Sequence, residues 1–217
     1  MLLAIEGGDG AGKATAAAEV VRQLIAAGRT ATVMSFPRYA ETTGGWALGE
    51  MLGGRLPREV SPRAAAVLYA LDRMESRGSL LAAADAHEVV VLDRYIASNL
   101  AYQAARGAPE DADELMRWSW ALETDTFALP RADLNVYLAT PVDVARRQIA
   151  MKRQRSYTDA TFDANEADTA LQARVRDNYA AMARAGWAGR WVTVETVADG
   201  AIRAPDEIAR EVIEALI

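Results

Sequence analysis

The apolar positions of the chain form short continuous runs that alternate with longer, alanine-rich amphipathic stretches. Runs of about five apolar residues have the length of buried strands, whereas apolar residues that recur every three to four positions indicate helices. The predicted strands are Leu2–Glu6, Thr30–Ser35, Val89–Asp93, Leu134–Ala139 and Arg190–Val194. Nearly continuous apolar runs are typical of strands covered on both faces, and therefore of a parallel sheet between two layers of helices.

Local signals mark several helix boundaries between these strands. Ser61 offers a capping side chain and Pro62 a proline in the first turn, and Pro205 stands at a similar start. Gly28 is placed to end the first helix, which the pattern predicts over residues 14–27. No repeat or linker interrupts the chain, so residues 1–217 are predicted to form a single α/β domain with a five-stranded parallel sheet.

A glycine-rich loop follows the first predicted strand and leads directly into the first predicted helix. Its glycines let backbone N–H groups turn toward an anion, and the helix directs its positive dipole end to the same place. Lys13 supplies a mobile positive charge for the outer phosphates of a nucleotide. This order predicts a P-loop and a three-layer α/β/α fold of the P-loop NTPase type. The predicted nucleotide-binding residues are Gly7, Gly8, Asp9, Gly10, Ala11, Gly12, Lys13, Ala14 and Thr15.

The loop departs from the P-loop pattern at Ala14, where a serine or threonine normally offers a hydroxyl group to Mg²⁺. Thr15 follows one position late. The alternative is a plain turn between a strand and a helix. The chain has only two lysines, Lys13 and Lys152, so a lysine at the P-loop position is not explained by a lysine-rich surface.

Composition excludes several classes of function. The net charge of −6 and the isoelectric point near 5.0 argue against a nucleic-acid-binding surface. No apolar run is long enough to span a membrane. The absence of cysteine excludes disulfides and cysteine-based zinc or redox sites. We therefore expect a cytoplasmic protein whose partners are neither nucleic acids nor membranes.

The third predicted strand ends in two charged residues, at the edge of the sheet where ligands bind. Asp93 ends an apolar strand, which is the place where an acid meets Mg²⁺ or its waters in P-loop proteins. Arg94 follows, and its planar guanidinium can clamp a phosphate. The alternative for both residues is an ion pair at the end of a strand.

A second group follows the second predicted strand. Phe36-Pro37-Arg38-Tyr39 places aromatic rings, which can stack on a base, beside an arginine that can meet a phosphate. Core packing with one surface charge is an equally good interpretation of this segment alone.

A third group lies on a predicted long helix. Tyr69 and Arg73 are four positions apart and share a face, so they can stack on and hydrogen-bond to a planar ring. The alternative is an aromatic–basic pair on the surface.

A basic cluster in this acidic chain follows the fourth predicted strand. It comprises Arg146, Arg147, Lys152, Arg153 and Arg155, and the acids Asp159, Asp163, Glu166 and Asp168 come next. We expect a short mobile lid at about residues 146–166 that closes over phosphates and keeps water out. The alternative is a solvated helix face with intrahelical ion pairs.

Together these segments resemble the bacterial thymidylate kinases, a family of P-loop nucleoside monophosphate kinases. The resemblance covers nearly the whole chain in order, through Gly7–Thr15, Phe36–Tyr39, Tyr69–Arg73 and Asp93–Tyr102. It implies transfer of the γ-phosphoryl group of ATP to dTMP, giving dTDP and ADP, with Mg²⁺ as cofactor. It also implies a homodimer whose helices pack side by side.

The resemblance implies roles for single residues as well. Phe36 and Tyr69 would flank thymine, Arg73 would bond a thymine carbonyl, and Asn99 would contact the base. Pro37 and Tyr39 belong to the same acceptor site.

For the rest of the acceptor, Arg38 and Arg94 would hold the dTMP phosphate, with Asp9 near the sugar and that phosphate. Tyr102 would lie under the deoxyribose, where a ribose 2′-hydroxyl would clash. The implied catalytic residues are Asp9, Lys13, Arg94 and Arg153, with Arg147 on the donor side and Asp93 and Asp9 as metal ligands.

Other classes of nucleotide-binding protein fit less well. A GTPase needs an Asn-Lys-x-Asp guanine motif, which neither Lys13 nor Lys152 can supply. A nucleoside kinase needs a base near a sugar hydroxyl, whereas Arg38 and Arg94 favour an acceptor that bears a phosphate. Another nucleoside monophosphate kinase remains the enzymatic alternative. A nucleotide-binding module without turnover is the other alternative, because of Ala14.

Overall fold

A five-stranded parallel sheet forms the centre of the fold. The computed structural model describes residues 1–151 and 168–216. The strands are β1 Leu2–Glu6, β2 Ala31–Ser35, β3 Val89–Asp93, β4 Leu134–Ala139 and β5 Trp191–Glu195, in the order β2-β3-β1-β4-β5. All five strands and their parallel pairing are confirmed, and their ends differ from the prediction by no more than one residue.

Helices cover both faces of this sheet. They are α1 Lys13–Ala26, α2 Thr43–Leu52, α3 Pro62–Glu75, α4 Arg77–Ala86, α5 Ile96–Arg106, α6 Ala112–Ala121, α7 Val142–Met151, α8 Thr169–Ala185 and α9 Pro205–Glu214. A short 3₁₀ turn, Pro109–Asp111, precedes α6, and a π-helical turn, Leu122–Thr126, follows it. The three-layer prediction is therefore confirmed.

Alternate residues of β1 show how the layers form. Leu3 and Ile5 pack into the core that contains the apolar faces of α1 and α9. Leu2 and Ala4 point the other way, into the core that contains α4, α5 and α8. Burying a leucine or isoleucine stabilises the fold by about 1.5–3 kcal/mol. The continuous apolar runs are thus explained by burial on both faces.

The helix ends follow the signals in the sequence. Ser61 Oγ accepts a hydrogen bond from the backbone N of Ala64, 3.3 Å away, with Pro62 in the first turn of α3. Gly28 has a φ of 80°, and its backbone N bonds the carbonyl of Ile25, so it ends α1 as predicted. Among the helices of the described residues, none combines the length and the apolar character needed to cross a bilayer.

One element was not predicted. A small antiparallel hairpin joins β6 Val197–Ala198 to β7 Ala201–Ile202 before α9. Two-residue strands leave no periodic pattern in a sequence, so hydrophobicity gives no sign of them.

The strand order brings three loops together at one edge of the sheet. β3 lies between β1 and β2, so the segments that follow these three strands are neighbours. The backbone N of Phe36 bonds the carbonyl of Asp93 at 3.0 Å, and the backbone N of Arg94 bonds the carbonyl of Ile5 at 3.1 Å. The glycine-rich loop and both predicted acceptor segments therefore share one site.

Candidate active site

The loop after β1 has the backbone of a phosphate-binding loop. Gly10 and Gly12 have φ values of 79° and 85°, which favour glycine. At Gly10 a Cβ would stand 2.2 Å from the carbonyl oxygen of Ala145, so no larger residue fits. Gly12 brings no capping side chain to the start of α1, which leaves the N–H groups of the first turn for an anion.

The lysine of the loop is held in place. Lys13 is buried, and its Nζ donates a hydrogen bond of 2.7 Å to the carbonyl oxygen of Gly8. Ala14 and Thr15 are exposed in the first turn of α1. The position that usually offers a hydroxyl group therefore faces solvent with a methyl group.

Arg94 connects the loop after β3 to the glycine-rich loop. Its Nη1 donates to the carbonyl oxygen of Gly7 at 3.2 Å, and its Nη2 forms an ion pair with Asp9. The guanidinium lies over the ring of Tyr102, 5.2 Å from the ring centroid. Arg94 has a φ of 67°, a strained backbone conformation for an arginine that costs about 1–3 kcal/mol.

Asp9 is ionised by its surroundings. Burial alone would raise the pKa of this carboxyl, but the charges of Arg94 and Lys13 outweigh it and lower the pKa below its usual value. Gln172 in α8 donates from Nε2 to Asp9 Oδ2 at 2.8 Å, and its Oε1 accepts from the backbone N of Asp9 at 3.2 Å. No pattern in the sequence connects these two residues.

Glu6, the last residue of β1, is a further group that was not predicted. It is fully buried and accepts hydrogen bonds from the backbone N of Tyr95 at 2.9 Å, Ser98 Oγ at 2.6 Å and Tyr179 Oη at 3.1 Å. Burial raises the pKa of Glu6, against the opposing effects of Ser98 and Arg94. Its bonds to Tyr95 and Ser98 fix the turn that presents Arg94.

Asp93 stands at the end of β3, half-buried, next to Ile5 in the sheet register. Within residues 1–151 and 168–216 its carboxylate forms no ion pair or side-chain hydrogen bond, so it can accept a ligand. The same ranges contain no group of three or more residues with metal-binding side chains.

The segment after β2 supplies an aromatic wall and a positive charge. Phe36 is buried, with its ring centroid 6.0 Å from that of Tyr95. Arg38 is anchored by its backbone N, which donates to both oxygens of Asp72 at 3.2 Å, and its guanidinium pairs with Glu41. Pro37 and Tyr39 are half-buried on either side of Arg38.

The residues predicted to contact the base lie deep in the molecule. Arg73 is 2% exposed and forms a bidentate ion pair with the fully buried Glu123, at 2.5 Å from Nε and 2.7 Å from Nη2. Asn99 is 1% exposed, and its Nδ2 donates to Glu123 at 2.8 Å and to the carbonyl oxygen of Ala66 at 3.0 Å. Tyr69 is half-buried on the same helix as Arg73. The alternative of a surface aromatic–basic pair is wrong, because Arg73 is buried.

Tyr102 packs against Arg94. It is 5% exposed, and its hydroxyl is 3.5 Å from Arg94 Nη2. Burial raises the pKa of Tyr102 well above its usual value, so its hydroxyl group stays protonated.

Only part of the predicted lid lies within the described residues. Arg146 and Arg147 are exposed on α7, and Arg147 pairs with Asp143 one turn earlier at 2.8 Å. That pair fits the alternative of a solvated helix face at this position. Asp168 caps α8 by accepting from the backbone N of Leu171 at 2.9 Å. The other predicted lid residues lie outside the described ranges: Lys152, Arg153, Arg155, Asp159, Asp163 and Glu166.

A cavity of about 150 Å³ adjoins the start of α1. Gly12 and Thr15 line it on the loop side, Gln148 of α7 lines another side, and Thr196 and Arg203 close it from the region after β5. Arg203 is fixed there by hydrogen bonds from Nη1 to the carbonyl of Glu195 and to Glu211. This cavity was not predicted, because its walls come from three segments that are distant in the sequence.

Comparisons with known proteins are consistent with this geometry. The family model described as "Thymidylate kinase" matches residues 5–199. The thymidylate kinase of Mycobacterium tuberculosis strain H37Rv is 37% identical over 195 residues, covering 89% of this chain and 91% of that protein. A thymidylate kinase of Leifsonia xyli is 37% identical over 189 residues, covering 84% and 81%. The solved structure of thymidylate kinase from Candida albicans has the same fold, with a TM-score of 0.71 at 22% identity over 99% of this chain and 90% of that one.

Proposed function

Because the chain belongs to the thymidylate kinase family, we infer that it transfers the γ-phosphoryl group of ATP to dTMP, giving dTDP and ADP. The observation that carries this function is the direct contact of two phosphate-binding elements, since Arg94 bonds both Gly7 and Asp9 of the P-loop. Phosphoryl transfer needs donor and acceptor phosphates side by side and in line. Formation of dTDP from ATP and dTMP tests the function, and a chain that binds dTMP without turnover would contradict it.

The donor nucleotide is proposed to bind with its phosphates on the P-loop and its base in the cavity beside Gly12 and Thr15. The position of that cavity supports this proposal, because it adjoins the N-terminal end of α1, where an anion is stabilised. Lys13 Nζ donates a hydrogen bond to the carbonyl oxygen of Gly8. Its flexible side chain can exchange that carbonyl for a phosphate oxygen.

The acceptor is proposed to lie along the line from Arg94 to Arg73. Arg38 and Arg94 would bind its phosphate, and Tyr102 would lie under its sugar. Phe36 and Tyr69 would flank the base, whose polar edge would reach Arg73 and Asn99. The acceptor oxygen that attacks is already anionic, so no general base with an unusual pKa is required.

Mg²⁺ fits the residues at the end of β3. Magnesium takes one or two carboxylates together with phosphate oxygens and waters, and the Asp93 carboxylate forms no hydrogen bond or ion pair among the described residues. Asp9 lies nearby but is engaged by Arg94 and Gln172, so it is the weaker ligand. Bound there, the ion would neutralise charge on the transferring phosphoryl group. Ala14 offers no oxygen, and a water can take that coordination position.

Catalytic charge from the lid is a separate proposal. With no basic side chain at position 14, we expect Arg147, Arg153 or Arg155 to approach the transferring group. Loss of such an arginine typically slows turnover by about a thousandfold with far less effect on binding. Alanine variants of the three arginines test this, and near-normal turnover in all of them would contradict it.

Assembly and location are also proposals. The family resemblance implies a homodimer, and α2 exposes Trp46, which is 60% exposed, on its outer side. Light scattering on the purified chain tests this, and a monomeric mass at micromolar concentration would contradict it. A cytoplasmic location is proposed from the absence of cysteine.

A nucleotide-binding module without turnover is the second candidate. The exposed methyl group of Ala14, in place of a hydroxyl, is the observation that favours it. A turnover assay across a range of Mg²⁺ concentrations separates the two, because the module would bind ATP and form no dTDP.

A further inference from the structure

Glu123 is a fully buried carboxylate that contacts both base-recognition residues. Its Oε2 accepts from Arg73 Nε, and its Oε1 accepts from Arg73 Nη2 and from Asn99 Nδ2. A buried ion pair is a poor way to stabilise a core, because removing both charges from water offsets their attraction. Glu123 also lies in a π-helical turn, a geometry that is frequent at functional sites. Both facts favour a role beyond stability.

Glu123 fixes the orientation of the Asn99 amide. Asn99 Nδ2 has two partners, Glu123 Oε1 and the carbonyl oxygen of Ala66, and both can only accept. A flipped amide would turn its oxygen toward two acceptors and lose both bonds. Asn99 Oδ1 therefore points away, and it is buried without a hydrogen-bond donor among the described residues. Leaving a buried acceptor without a hydrogen bond is unfavourable. A ligand N–H group that donates to Asn99 Oδ1 would remove this cost.

Glu123 also decides which part of Arg73 remains available. Nε and Nη2 of Arg73 are both taken by the carboxylate. In the described part of the chain Nη1 donates to no acceptor, so it is the donor left for a ligand. Asn99 and Arg73 share the same Glu123 oxygen, which places them side by side. Two neighbouring side chains therefore keep one donor, Arg73 Nη1, and one acceptor, Asn99 Oδ1, for a ligand.

This donor and acceptor match one kind of pyrimidine. A 4-oxo pyrimidine offers a carbonyl acceptor beside an N3–H donor, which complements Arg73 Nη1 and Asn99 Oδ1. A 4-amino pyrimidine offers a donor beside an unprotonated N3 acceptor, so both contacts are mismatched. A site whose buried polar groups are left unpaired rejects the wrong ligand strongly.

We propose that Glu123 is a positioning residue that sets the hydrogen-bond polarity of Arg73 and Asn99, and thereby selects 4-oxo over 4-amino pyrimidine monophosphates. This rests on the proposed acceptor site. Glu123 itself touches no substrate in the proposal, and it acts through the two side chains that it orients.

Glu123→Gln is the direct test, because a carboxamide keeps the shape of the side chain but offers one acceptor and one donor. Of the two acceptors that hold the Asn99 amide, only the Ala66 carbonyl remains, and the new N–H₂ group can donate to Oδ1. The fixed orientation of the amide is therefore lost, and Nδ2 can turn to the ligand. We expect the ratio of kcat/KM for dTMP to that for dCMP to fall at least about tenfold, since the Asn99 contact changes from acceptor to donor while Arg73 remains a donor. A purely structural role would lower both values together and leave the ratio unchanged.

Glu114→Gln is the matched control. Glu114 forms an exposed ion pair with Arg63, which links α6 to α3. The buried pair of Glu123 with Arg73 links the π-helical turn after α6 to the same helix. We expect this variant to keep the wild-type ratio. If Glu123→Gln does not fold, Glu123→Asp is the second variant. It keeps the negative charge opposite Arg73, but its side chain is one methylene too short to bond Asn99 as well. The ratio of kcat/KM for dTMP to that for dCMP should therefore still fall.

The measured selectivities distinguish an error in the role of Glu123 from an error in the proposed acceptor site. A wild-type enzyme that uses dTMP and dCMP equally would contradict the proposed base contacts themselves. A selective wild type together with an equally selective, folded Glu123→Gln variant would overturn the role of Glu123 alone. If only Glu123→Asp folds, wild-type selectivity in that variant would overturn it.

Discussion

Gln172 and Asp9 are joined by two hydrogen bonds, one to the side chain of Asp9 and one from its backbone N, although 163 positions separate them in the chain. Gln172 lies in the first turn of α8, directly after the residues predicted to form the lid. The pair therefore ties the start of α8 to the P-loop. It also holds Asp9 where Arg94 can meet it.

The first prediction concerns this connection. Gln172→Ala removes both hydrogen bonds, each of which contributes about 0.5–1.5 kcal/mol. We expect kcat to fall about tenfold because Asp9 is less well placed, with a smaller change in the KM for ATP. Gln23→Ala is the control, since Gln23 also has two side-chain hydrogen bonds but lies on the outer face of α1. Equal kinetics for the two variants would show that Asp9 does not depend on Gln172.

The second prediction concerns the sugar. Tyr102 is almost fully buried beneath the guanidinium of Arg94. In the proposed acceptor site its ring would occupy the space that a ribose 2′-hydroxyl group needs. We expect wild type and Tyr102→Phe to reject UMP, because the bulk of the ring is retained. Tyr102→Ala should accept UMP with a higher kcat/KM relative to dUMP. Steady-state assays with both nucleotides decide this, and unchanged discrimination in the alanine variant would place the ring elsewhere.

The third prediction concerns the metal. Asp93→Asn should strongly reduce Mg²⁺-dependent turnover while calorimetry still detects dTMP binding, because the base and phosphate contacts remain. Ala14→Ser should be tolerated, since the position is exposed at the start of α1, where serine is well accommodated. Turnover across a Mg²⁺ titration measures both effects. Normal activity of Asp93→Asn at low Mg²⁺ would remove Asp93 from the metal site.

The fourth prediction concerns pH and Glu6. Because its pKa is raised in the folded protein, Glu6 binds a proton more tightly there than in the unfolded chain. Its contribution to stability is therefore full below the ordinary value of 4.5 and is lost as the pH rises through the folded pKa. We expect Glu6→Gln, which mimics the neutral acid, to gain stability relative to wild type as the pH rises above that value. Urea unfolding between pH 4.5 and 8 measures the difference.

Glu19→Gln is the control of opposite sign. Its hydrogen bonds from Arg22 and Gln23 lower the pKa of Glu19 to about 2, so its contribution is present above the ordinary value of 4.5 and is lost as the pH falls. The difference between Glu19→Gln and wild type should thus be constant from pH 5 to 8. A Glu6→Gln difference that is also flat over this range would contradict a raised pKa for Glu6.

The fold was predictable because its signals are local. Each strand is a short, mostly apolar run, and Gly28 and Ser61 mark helix ends through their own backbone or side chain. The P-loop is equally local, since Gly10 and Lys13 act within a few residues of each other. Family resemblance then indicated the acceptor residues.

The residues that hold the site in place could not be found in this way. Glu6, Gln172 and Glu123 have ordinary neighbours in the sequence, and each matters only through a partner that the fold brings to it. Glu6 occupies the last position of a predicted strand, where a carboxylate usually reaches solvent. Its burial beside Tyr179 depends on how α8 packs, which no periodicity in β1 reveals.

Each of the two arginines proposed for the acceptor phosphate forms an ion pair with a carboxylate of the protein. Arg94 is paired with Asp9 and Arg38 with Glu41. An incoming anion must compete with these internal carboxylates, and a doubly charged phosphate competes better than a singly charged one. The second ionisation of a phosphate monoester has a pKa of about 6. Affinity for the acceptor should therefore weaken below that pH through the substrate's own titration, and chloride, with a single charge, should inhibit little.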